Sequence, residues 1–276
     1  MANKLSLIAG SGALVPHVID AARAAGFDLQ VLSLGNRDDL ADYDTIRIDL
    51  GQPQSIISAI RAFGATHVTM AGGLHISDAA REGLARFAGG GLAHGAASAG
   101  DGVLSGLAVA LSQMTGAQLV GPHEVAPDLL APEGQLAGPP LTDAQLETAR
   151  FALDLARKIG ALDIGQAVVV AGRRVIAVED VGGTDALLMR VAQYRQRGFA
   201  TDGASSVVLA KAAKPQQPMF VDLPVIGPDT IDHAVGAGVE AIAVQAGKSL
   251  LIGRTRLVEA ATAAGIALVG LAASDA

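Results

Sequence analysis

The residues best suited to chemistry lie in one proline-rich segment of the second half of the chain, residues 207–232. Lys211 and Lys214 follow a short apolar run, and the lone acid Asp222 lies further along in a second apolar run. Lysine supplies positive charge to phosphate oxygens, and an aspartate can hold a divalent cation or orient a water molecule. The pattern is thus compatible with a phosphate site. Surface lysines and a turn-capping aspartate would produce the same pattern, and on the pattern alone we favour that interpretation slightly.

The full residue sequence of this segment is more informative than its pattern of charges and prolines. The stretch LAKAAKPQQPMFVDLPVIGPDTI resembles the most distinctive part of the LpxI-type UDP-2,3-diacylglucosamine pyrophosphatases. The resemblance continues through Gly-x-His-Glu at residues 121–124, Asp-Ile-Gly-Gln-Ala-Val-Val-Val at 163–170 and Ala-Ile-Ala-Val at 241–244. It therefore covers nearly the whole chain. It implies that Asp222, in an Asp-Leu-Pro triplet, is the catalytic residue and a ligand of the metal.

Length and composition indicate an α/β fold in two domains. A chain of 276 residues exceeds the size at which a single core usually stops growing. Half of the residues are hydrophobic, only 3% are aromatic and 34 are glycine, so small aliphatic side chains must form the cores of closely packed layers. We expect a Rossmann-like domain with a parallel sheet over residues 1–134 and a mixed-sheet α/β domain over residues 140–276. The proline- and glycine-rich residues 131–142 are the best candidate linker.

Charge and composition exclude several classes of function. The net charge of −7 argues against a nucleic-acid binder, because a phosphate backbone needs a basic surface. The absence of cysteine excludes disulfides and zinc–thiolate sites. No apolar run reaches the roughly 20 residues that a membrane span needs, and the N-terminus does not read as a signal peptide. We therefore expect a cytoplasmic protein that makes at most peripheral contact with the inner face of the membrane.

A glycine turn near the N-terminus is a second candidate for substrate contact. An apolar run over residues 5–9 leads into Gly-Ser-Gly-Ala at 10–13 and then into an apolar helix, as at the start of a Rossmann-like unit. The dinucleotide motif is incomplete because Val15 occupies its third glycine position, which makes NAD binding a weak hypothesis. Tight packing and contact with a nucleotide phosphate explain the turn equally well. Gly72 and Gly73 follow a later predicted strand and belong to the same candidate pocket.

The second half also offers polar residues at the start of a predicted helix. Thr184 and Asp185 lie where an N-cap belongs, ahead of a helix over residues 186–196, and free N–H groups there can hold a phosphate or a sugar hydroxyl. In the first half, residues 89–106 are rich in glycine and alanine. They predict either a flexible loop or a substrate contact through Asp101.

Motifs and resemblance together predict one set of substrate-binding residues. The set comprises Gly10, Gly12, Ala13, Gly72, Gly73, Asp101, Gln166, Thr184, Asp185, Arg190, Lys211, Lys214 and Gln217. The resemblance is incomplete at four positions where the family has other polar residues. This chain has Gly182, Pro218, Phe220 and Gln245 there. Phe220 is the most serious departure, because the family has an arginine there that would neutralise pyrophosphate charge.

The resemblance implies a hydrolase that cleaves the pyrophosphate of UDP-2,3-diacylglucosamine to UMP and 2,3-diacylglucosamine 1-phosphate (lipid X) in lipid A biosynthesis. Mg²⁺ or Mn²⁺ would be the cofactor, since hard cations suit oxygen ligands and phosphate. The partner would be the UDP-linked acylated glucosamine, with no nucleic acid and with a homodimer left open. The alternatives are a homologue that binds nucleotide-linked lipids without hydrolysing them, and a nicotinamide-dependent oxidoreductase.

Overall fold

The computed structural model describes residues 3–35, 37–73, 84, 100–199, 206–215, 218–220 and 223–272. By its contacts the chain divides into two units. The N-terminal unit comprises Met1–Pro127 together with Pro218–Asp222, and the C-terminal unit comprises Asp128–Gln217 and Leu223–Ala276. The short segment Pro218–Asp222 therefore belongs to the N-terminal unit although it comes late in the sequence.

The N-terminal unit alternates strands and helices. Its strands are β1 (Lys4–Ala9), β2 (Asp28–Ser33), β3 (Thr45–Arg47), β4 (His67–Ala71) and β5 (Gln118–Leu119). Its helices are α1 (Leu14–Ala24), α2 (Pro53–Phe63), α3 (Gly100–Thr115) and α4 (Pro122–Val125), with a short 3-10 helix at Asp38–Leu40. A second 3-10 helix, Pro127–Leu129, contains the point at which the two units divide.

All the strand pairs of this first sheet are parallel, and the strand order is β3-β2-β1-β4-β5. The predicted parallel, Rossmann-like sheet is therefore confirmed. Ala9 pairs in register with Ser33 on one side and with Ala71 on the other, so three strands end level with one another. The strand order reverses between β1 and β4, and ligands of such sheets bind outside the carboxyl ends at that point.

Aliphatic side chains of α2, α3 and the sheet form the core of the N-terminal unit. Ile56 and Ile60 of α2, four residues apart on one helix face, meet Leu107 and Leu111 of α3 in one buried cluster. Phe220, from the late segment, packs against the same cluster. The apolar periodicity of both helices therefore fixes which faces pack together.

The C-terminal unit contains a mixed sheet covered by helices. Its strands are β6 (Gly134–Ala137), β7 (Ala167–Ala171), β8 (Arg174–Val178), β9 (Val207–Lys211), β10 (Val225–Ile226), β11 (Ala241–Gln245), β12 (Leu250–Leu251) and β13 (Ala267–Leu271). Its helices are α5 (Asp143–Ala161), α6 (Gly183–Gln196), α7 (Pro228–Ala237) and α8 (Arg254–Ala263).

The main sheet of this unit has the order β6-β13-β11-β9-β7-β8. The three central strands β13, β11 and β9 are parallel, whereas β6, β7 and β8 pair antiparallel with their neighbours. Strands β10 and β12 form a separate parallel pair. The predicted mixed sheet is therefore confirmed.

Alternate residues of the central strands bury opposite faces of this sheet. Val168 of β7 and Val208 of β9 pack in a cluster with α5, whereas Val169 and Leu209 pack in a second cluster with α6, α7 and α8. Both faces are covered, which explains why these strands appear in the sequence as continuous apolar runs rather than alternating ones.

Two stretches differ from what the sequence predicted. Residues 131–142, expected as a linker, contain β6, which pairs antiparallel with β13 at the edge of the C-terminal sheet. Residues 100–106, expected as part of a loop, begin helix α3, while residues 89–99 lie outside the described chain. The stretch 131–142 ends in the N-cap of α5, because the Thr142 hydroxyl accepts a hydrogen bond from the backbone N–H of Gln145. Across the described part of the chain, no helix has the length and apolar character needed to cross a membrane.

Candidate active site

The glycine turn after β1 and the loop after β4 are joined by backbone hydrogen bonds. The N–H of Gly10 donates to the carbonyl of Ala71 at 2.8 Å, and Ser11 and Gly73 exchange two backbone bonds of 2.8 Å each. The Ser11 hydroxyl also donates to the Gly73 carbonyl at 3.1 Å. The structure thus brings together the glycines predicted from both loops, and it uses the Gly10 N–H in the fold itself.

Two glycines of this region have backbone conformations that other residues rarely adopt, with φ of 94° at Gly12 and 87° at Gly72. A Cβ on Gly72 would lie 2.3 Å from the Ser11 carbonyl oxygen and 3.0 Å from a methyl group of Val15. At Gly12, no described atom lies within 4 Å of the corresponding position. Packing therefore explains Gly72, whereas the Cβ position of Gly12, just before the N-cap Ala13 of α1, is uncrowded. The N-terminus of a helix suits an anion.

Arg37 holds the glycine turn in place, a role that the sequence reasoning missed. Its guanidinium donates to the carbonyls of Gly10 and Gly12, the latter at 3.1 Å, and pairs with Asp39 through an Nε–Oδ1 bond of 2.7 Å. The Arg37 side chain is only 12% exposed. Its hydrogen bond with Asp39 raises the pKa of Arg37 and lowers the pKa of the Asp39 carboxyl, so the ion pair persists at neutral pH. A charged side chain thus anchors a turn made of backbone.

In the C-terminal unit, the two predicted lysines lie at and just beyond the end of β9. Lys211 is buried, with 6% exposure, and its Nζ donates to the Val225 carbonyl at 3.0 Å. Lys214 forms an ion pair with Asp163 at 2.5 Å, and these side chains are 16% and 33% exposed. Lys211 therefore fastens β10 to the sheet, and Lys214 is the more accessible cation of the two.

The local backbone conformation places Asp163 and Lys214 close together. Asp163 has a φ of 55°, and among the described residues it alone combines a side chain with a positive φ. It lies in the turn after α5, where a Cβ on Gly160 would approach the Cα of Lys214 to 3.3 Å. The absence of a side chain at Gly160 thus lets the lysine segment lie against the end of α5.

A buried carboxylate, Glu179, connects two of the predicted residues. Its Oε2 accepts a hydrogen bond from the backbone N–H of Gln166 at 2.7 Å, and its Oε1 accepts one from the Thr184 hydroxyl at 2.6 Å. Glu179 is 5% exposed, and its own N–H donates to the Ala167 carbonyl at 2.8 Å. The end of β8 therefore positions both the start of β7 and the start of α6.

Arg190 is also tied into the fold. It donates to a carboxylate oxygen of Asp180 and to the Val178 carbonyl, both at 2.6 Å. The Gly182 N–H donates to the other Asp180 oxygen at 2.9 Å. The Gly182 bond first, and the Arg190 bond second, lower the pKa of Asp180, so its carboxylate form persists at neutral pH. Arg190 thus secures the turn that leads into α6.

Asp185 points in a different direction from Thr184 and pairs with a histidine. The Nδ1 of His233, on α7, lies 3.2 Å from the Asp185 carboxylate. The Asp185 side chain is 62% exposed, so a ligand can reach it. Gln166 and Thr184 therefore share one partner, Glu179, whereas Asp185 pairs separately with His233, and neither partner had been predicted.

Three of the four departures from the family pattern now have a physical account. The side-chain oxygen of Gln245, which is 5% exposed, accepts a hydrogen bond from the Ala213 N–H at 3.1 Å, a role that an amide fills as well as a carboxylate. Phe220 packs into the N-terminal core. Gly182 fits a crowded turn, because a Cβ there would lie 2.8 Å from that of Ala186. Nothing in the structure explains Pro218.

Three predicted site residues cannot be placed by their side chains. Gln217 and Asp222 lie outside the described residues, and Asp101 lies in the first turn of α3 with an undescribed side chain. Within the ranges that the structure does describe, no group of three or more His, Cys, Asp or Glu residues could hold a metal. The described residues therefore provide no complete protein cage for a cation.

The sequence contained only weak signals for the residues that were missed. Arg37 and Asp39 follow β2, so they too lie after the carboxyl end of a parallel strand, where a charged pair could have been noted. Glu179 is the first of two adjacent acids, Glu179 and Asp180, that follow a hairpin with many apolar residues. Acids of that kind become informative only when their hydrogen-bond partners are known.

Comparison with known proteins covers the chain almost completely. Residues 4–129 match the family model described as the LpxI N-terminal domain, and residues 132–269 match the LpxI C-terminal domain. The UDP-2,3-diacylglucosamine pyrophosphatase LpxI of Caulobacter vibrioides is 36% identical over 277 residues, which cover 97% of each chain.

Among solved structures, a short-chain dehydrogenase/reductase superfamily protein from Agrobacterium tumefaciens with bound NAD aligns with 96% of this chain and 85% of its own. It shares 15% identity and has a TM-score of 0.28, which is too low for any conclusion about fold or function. The family models and the full-length relative, in contrast, span both units and agree with each other. This chain belongs to the LpxI family.

Proposed function

We propose that this protein hydrolyses the pyrophosphate bond of UDP-2,3-diacylglucosamine to UMP and 2,3-diacylglucosamine 1-phosphate, a step in lipid A biosynthesis. The observation that carries the proposal is the 36% identity, over 97% of both chains, to a relative whose name states this activity. The types of group present add support: a glycine turn at a helix N-terminus in one unit and, separately, lysines and a hydroxyl in the other are groups that bind phosphates and sugar hydroxyls.

Each group has a distinct role in the proposal. Lys214, fixed by Asp163, supplies positive charge to the pyrophosphate and to the charge that develops as the bond to the leaving group breaks. The free N–H groups that follow Gly12 bind an anionic part of the substrate. Asp222 is the catalytic residue and orients the attacking water. Because the ion pair with Asp163 holds Lys214 before substrate arrives, little reorganisation of that side chain is needed during the reaction.

Mg²⁺ or Mn²⁺ is the cofactor in this proposal, with Asp222 as its protein ligand. Magnesium is often held by one or two carboxylates together with substrate phosphates, so a cage of three protein ligands is not required. When bound, the cation would neutralise charge on the phosphate oxygens.

Exposed apolar side chains beside the polar groups suit an acylated substrate. Leu162 and Ile164 are 71% and 50% exposed and flank Asp163, while Val181 is fully exposed beside Gly182. Apolar side chains in contact with water at a site suggest an apolar ligand or a lipid surface. These side chains support peripheral contact with the membrane, which we propose together with the cytoplasmic location that the family resemblance implies.

Binding without hydrolysis is a second candidate, and one observation favours it. Phe220 is packed against the N-terminal core where the family has an arginine, so this position supplies no positive charge to a phosphate. The same assay separates the two candidates, since a binding protein would retain the substrate and release no UMP.

The test is to incubate the purified protein with UDP-2,3-diacylglucosamine and Mg²⁺ and to measure UMP. We expect turnover that stops in EDTA and returns with Mg²⁺ or Mn²⁺. Asp222→Ala should retain less than about a tenth of the wild-type rate, a barrier increase of more than ~1.4 kcal/mol. Asp42→Ala, at an exposed aspartate after the first 3-10 helix, is the matched control and should keep the wild-type rate. Absence of UMP from wild type would reject hydrolysis, and full activity in EDTA would reject the metal.

A further inference from the structure

The contacts of Glu179 determine which way one hydrogen bond runs. Its Oε2 accepts from a backbone N–H, that of Gln166, which can only donate. Its Oε1 lies 2.6 Å from the Thr184 hydroxyl oxygen, a separation typical of a hydroxyl that donates to an ionised carboxylate. Among the described residues, no salt bridge involves Glu179. Two donors therefore satisfy the buried carboxylate, and one of them is Thr184.

This arrangement commits the single proton of the Thr184 hydroxyl. A threonine hydroxyl has one hydrogen to donate and two lone pairs that accept. With the hydrogen directed at Glu179, the hydroxyl can offer a ligand only its lone pairs. A phosphate oxygen carries no proton at neutral pH and cannot use them, whereas a sugar hydroxyl or an amide N–H can. Thr184 is half-buried, so a ligand can reach it.

We propose that Glu179 is a positioning residue that makes Thr184 a hydrogen-bond acceptor, and that Thr184 binds a hydroxyl or amide N–H group of the substrate rather than a phosphate oxygen. The inference rests on the proposed function, since UDP-2,3-diacylglucosamine offers such donors on its acylated sugar and on its nucleoside. It assigns the phosphates to other groups, of which Lys214 is the accessible lysine.

A second oxygen atom beside Glu179 also needs a hydrogen-bond donor. The side-chain oxygen Oε1 of Gln166 is buried and has no hydrogen-bond partner among the described residues. Buried polar atoms are nearly always satisfied, and this one needs a donor. Glu179 thus holds two residues, by a backbone bond and by a hydroxyl bond, that both carry acceptor oxygens without a described donor.

The decisive variant is Glu179→Gln, which keeps the size of the side chain. The Gln166 N–H still requires an acceptor, so the new amide oxygen faces it and the new NH₂ group faces Thr184. The NH₂ group donates, which turns the Thr184 hydroxyl around and directs its proton at the ligand. We expect KM for UDP-2,3-diacylglucosamine to rise about 10-fold or more, because a donor now meets a donor, with a smaller change in kcat.

Companion variants separate positioning from folding. Thr184→Val removes the hydroxyl and should raise KM to a similar extent, while Thr184→Ser should recover most of that loss. The double variant Glu179→Gln with Thr184→Val should be no worse than Thr184→Val alone, since both changes act on one hydrogen bond. Glu124→Gln is the matched control, because its side-chain oxygen accepts a backbone N–H at 2.8 Å in the other unit, and its KM should be unchanged.

Each other result overturns the inference. A Glu179→Gln enzyme with wild-type KM, beside a Thr184→Val enzyme with raised KM, would mean that Thr184 donates to an oxygen such as that of a phosphate. A lowered thermal midpoint without a change in KM would leave Glu179 a purely structural role. A change confined to the Mg²⁺ concentration required would assign the Thr184 oxygen to the cation. Failure of wild type to release UMP would reject the proposed function itself, and with it this inference, whatever the variants do.

Discussion

The glycine turn of the N-terminal unit and the Glu179 cluster of the C-terminal unit are built in opposite ways. In the turn, the groups proposed to contact the substrate are backbone N–H groups, and a side chain, Arg37, holds the backbone carbonyls. In the cluster of Glu179, Gln166 and Thr184, the groups proposed to contact the substrate belong to side chains, and a buried carboxylate holds one backbone N–H and one hydroxyl. In each case a charged group that the sequence patterns did not reveal fixes the proposed contact groups.

The difference determines which changes each region tolerates. A backbone surface depends on φ and on close approach, so it is sensitive to any added Cβ and largely indifferent to the chemistry of its side chains. A side-chain surface depends on the direction of each hydrogen bond, so an isosteric change can reverse its polarity without altering its shape. The first suits recognition of an anion, and the second suits discrimination among neutral groups.

The largest effect is expected from Gly72→Ala. The new Cβ would lie 2.3 Å from the Ser11 carbonyl oxygen at a φ of 87°, so the unit must deform to accept it. We expect the free energy of unfolding to fall by roughly 2–4 kcal/mol, measured by urea denaturation. Gly26→Ala is the control, since Gly26 has a φ of 79° but no described atom within 4 Å of its Cβ position. If both variants lose the same stability, close packing at Gly72 is not what distinguishes the turn.

The second largest effect is expected from Lys214→Met, and it should be a loss of activity rather than a loss of stability. Removing a preorganised cation from a phosphate site should lower kcat/KM by about 100-fold. Asp163→Asn should have a smaller effect in the same direction, because the lysine remains but is no longer held by a charge. Lys158→Met, which breaks an exposed ion pair with Asp154, is the control and should keep wild-type kinetics. Normal kinetics of Lys214→Met would show that Lys214 does not bind the phosphates of the substrate.

The smallest effect is expected from Arg37→Ala, which should raise KM by about 3–10-fold, equivalent to roughly 0.6–1.4 kcal/mol, the net contribution of one ordinary hydrogen bond. The turn would remain, but its carbonyls would lose their anchor. Arg61→Ala is a matched control in the same unit, since the Arg61 guanidinium also donates to a backbone carbonyl, that of Met114 at 3.1 Å, away from the turn. Equal changes of KM in both variants would show that Arg37 acts only through general stability.

Much of the fold could be predicted because local signals agree with the tertiary structure. Helix α2 has local signals at both ends, with a proline at its start and Gly64 after its end. The paired glycine loops after β1 and β4 were also predicted, since both end apolar runs. These features depend on neighbouring residues, and neighbouring residues are what a sequence displays.

The failures concern partners that are distant in the sequence. Strand β6 is built from a proline- and glycine-rich stretch, and it exists because Gly134 and Ala137 pair with β13, near the other end of the chain. The start of helix α3 was not predicted, because its glycines are more typical of a loop than of a helix. Arg37 and Glu179 have no local motif, because their roles arise only from hydrogen bonds formed after folding.

The placement of Phe220 also has a consequence for how the protein is made. A ribosome releases the chain from its N-terminus, so residues 1–127 emerge well before Pro218–Asp222, which belong to the same unit. The apolar surface that Phe220 covers therefore stays open during synthesis until most of the second unit has been translated. A fragment that stops at Pro127 would leave it open permanently. The N-terminal unit, although its first 127 residues are made first, therefore cannot be completed until residue 222 has been translated.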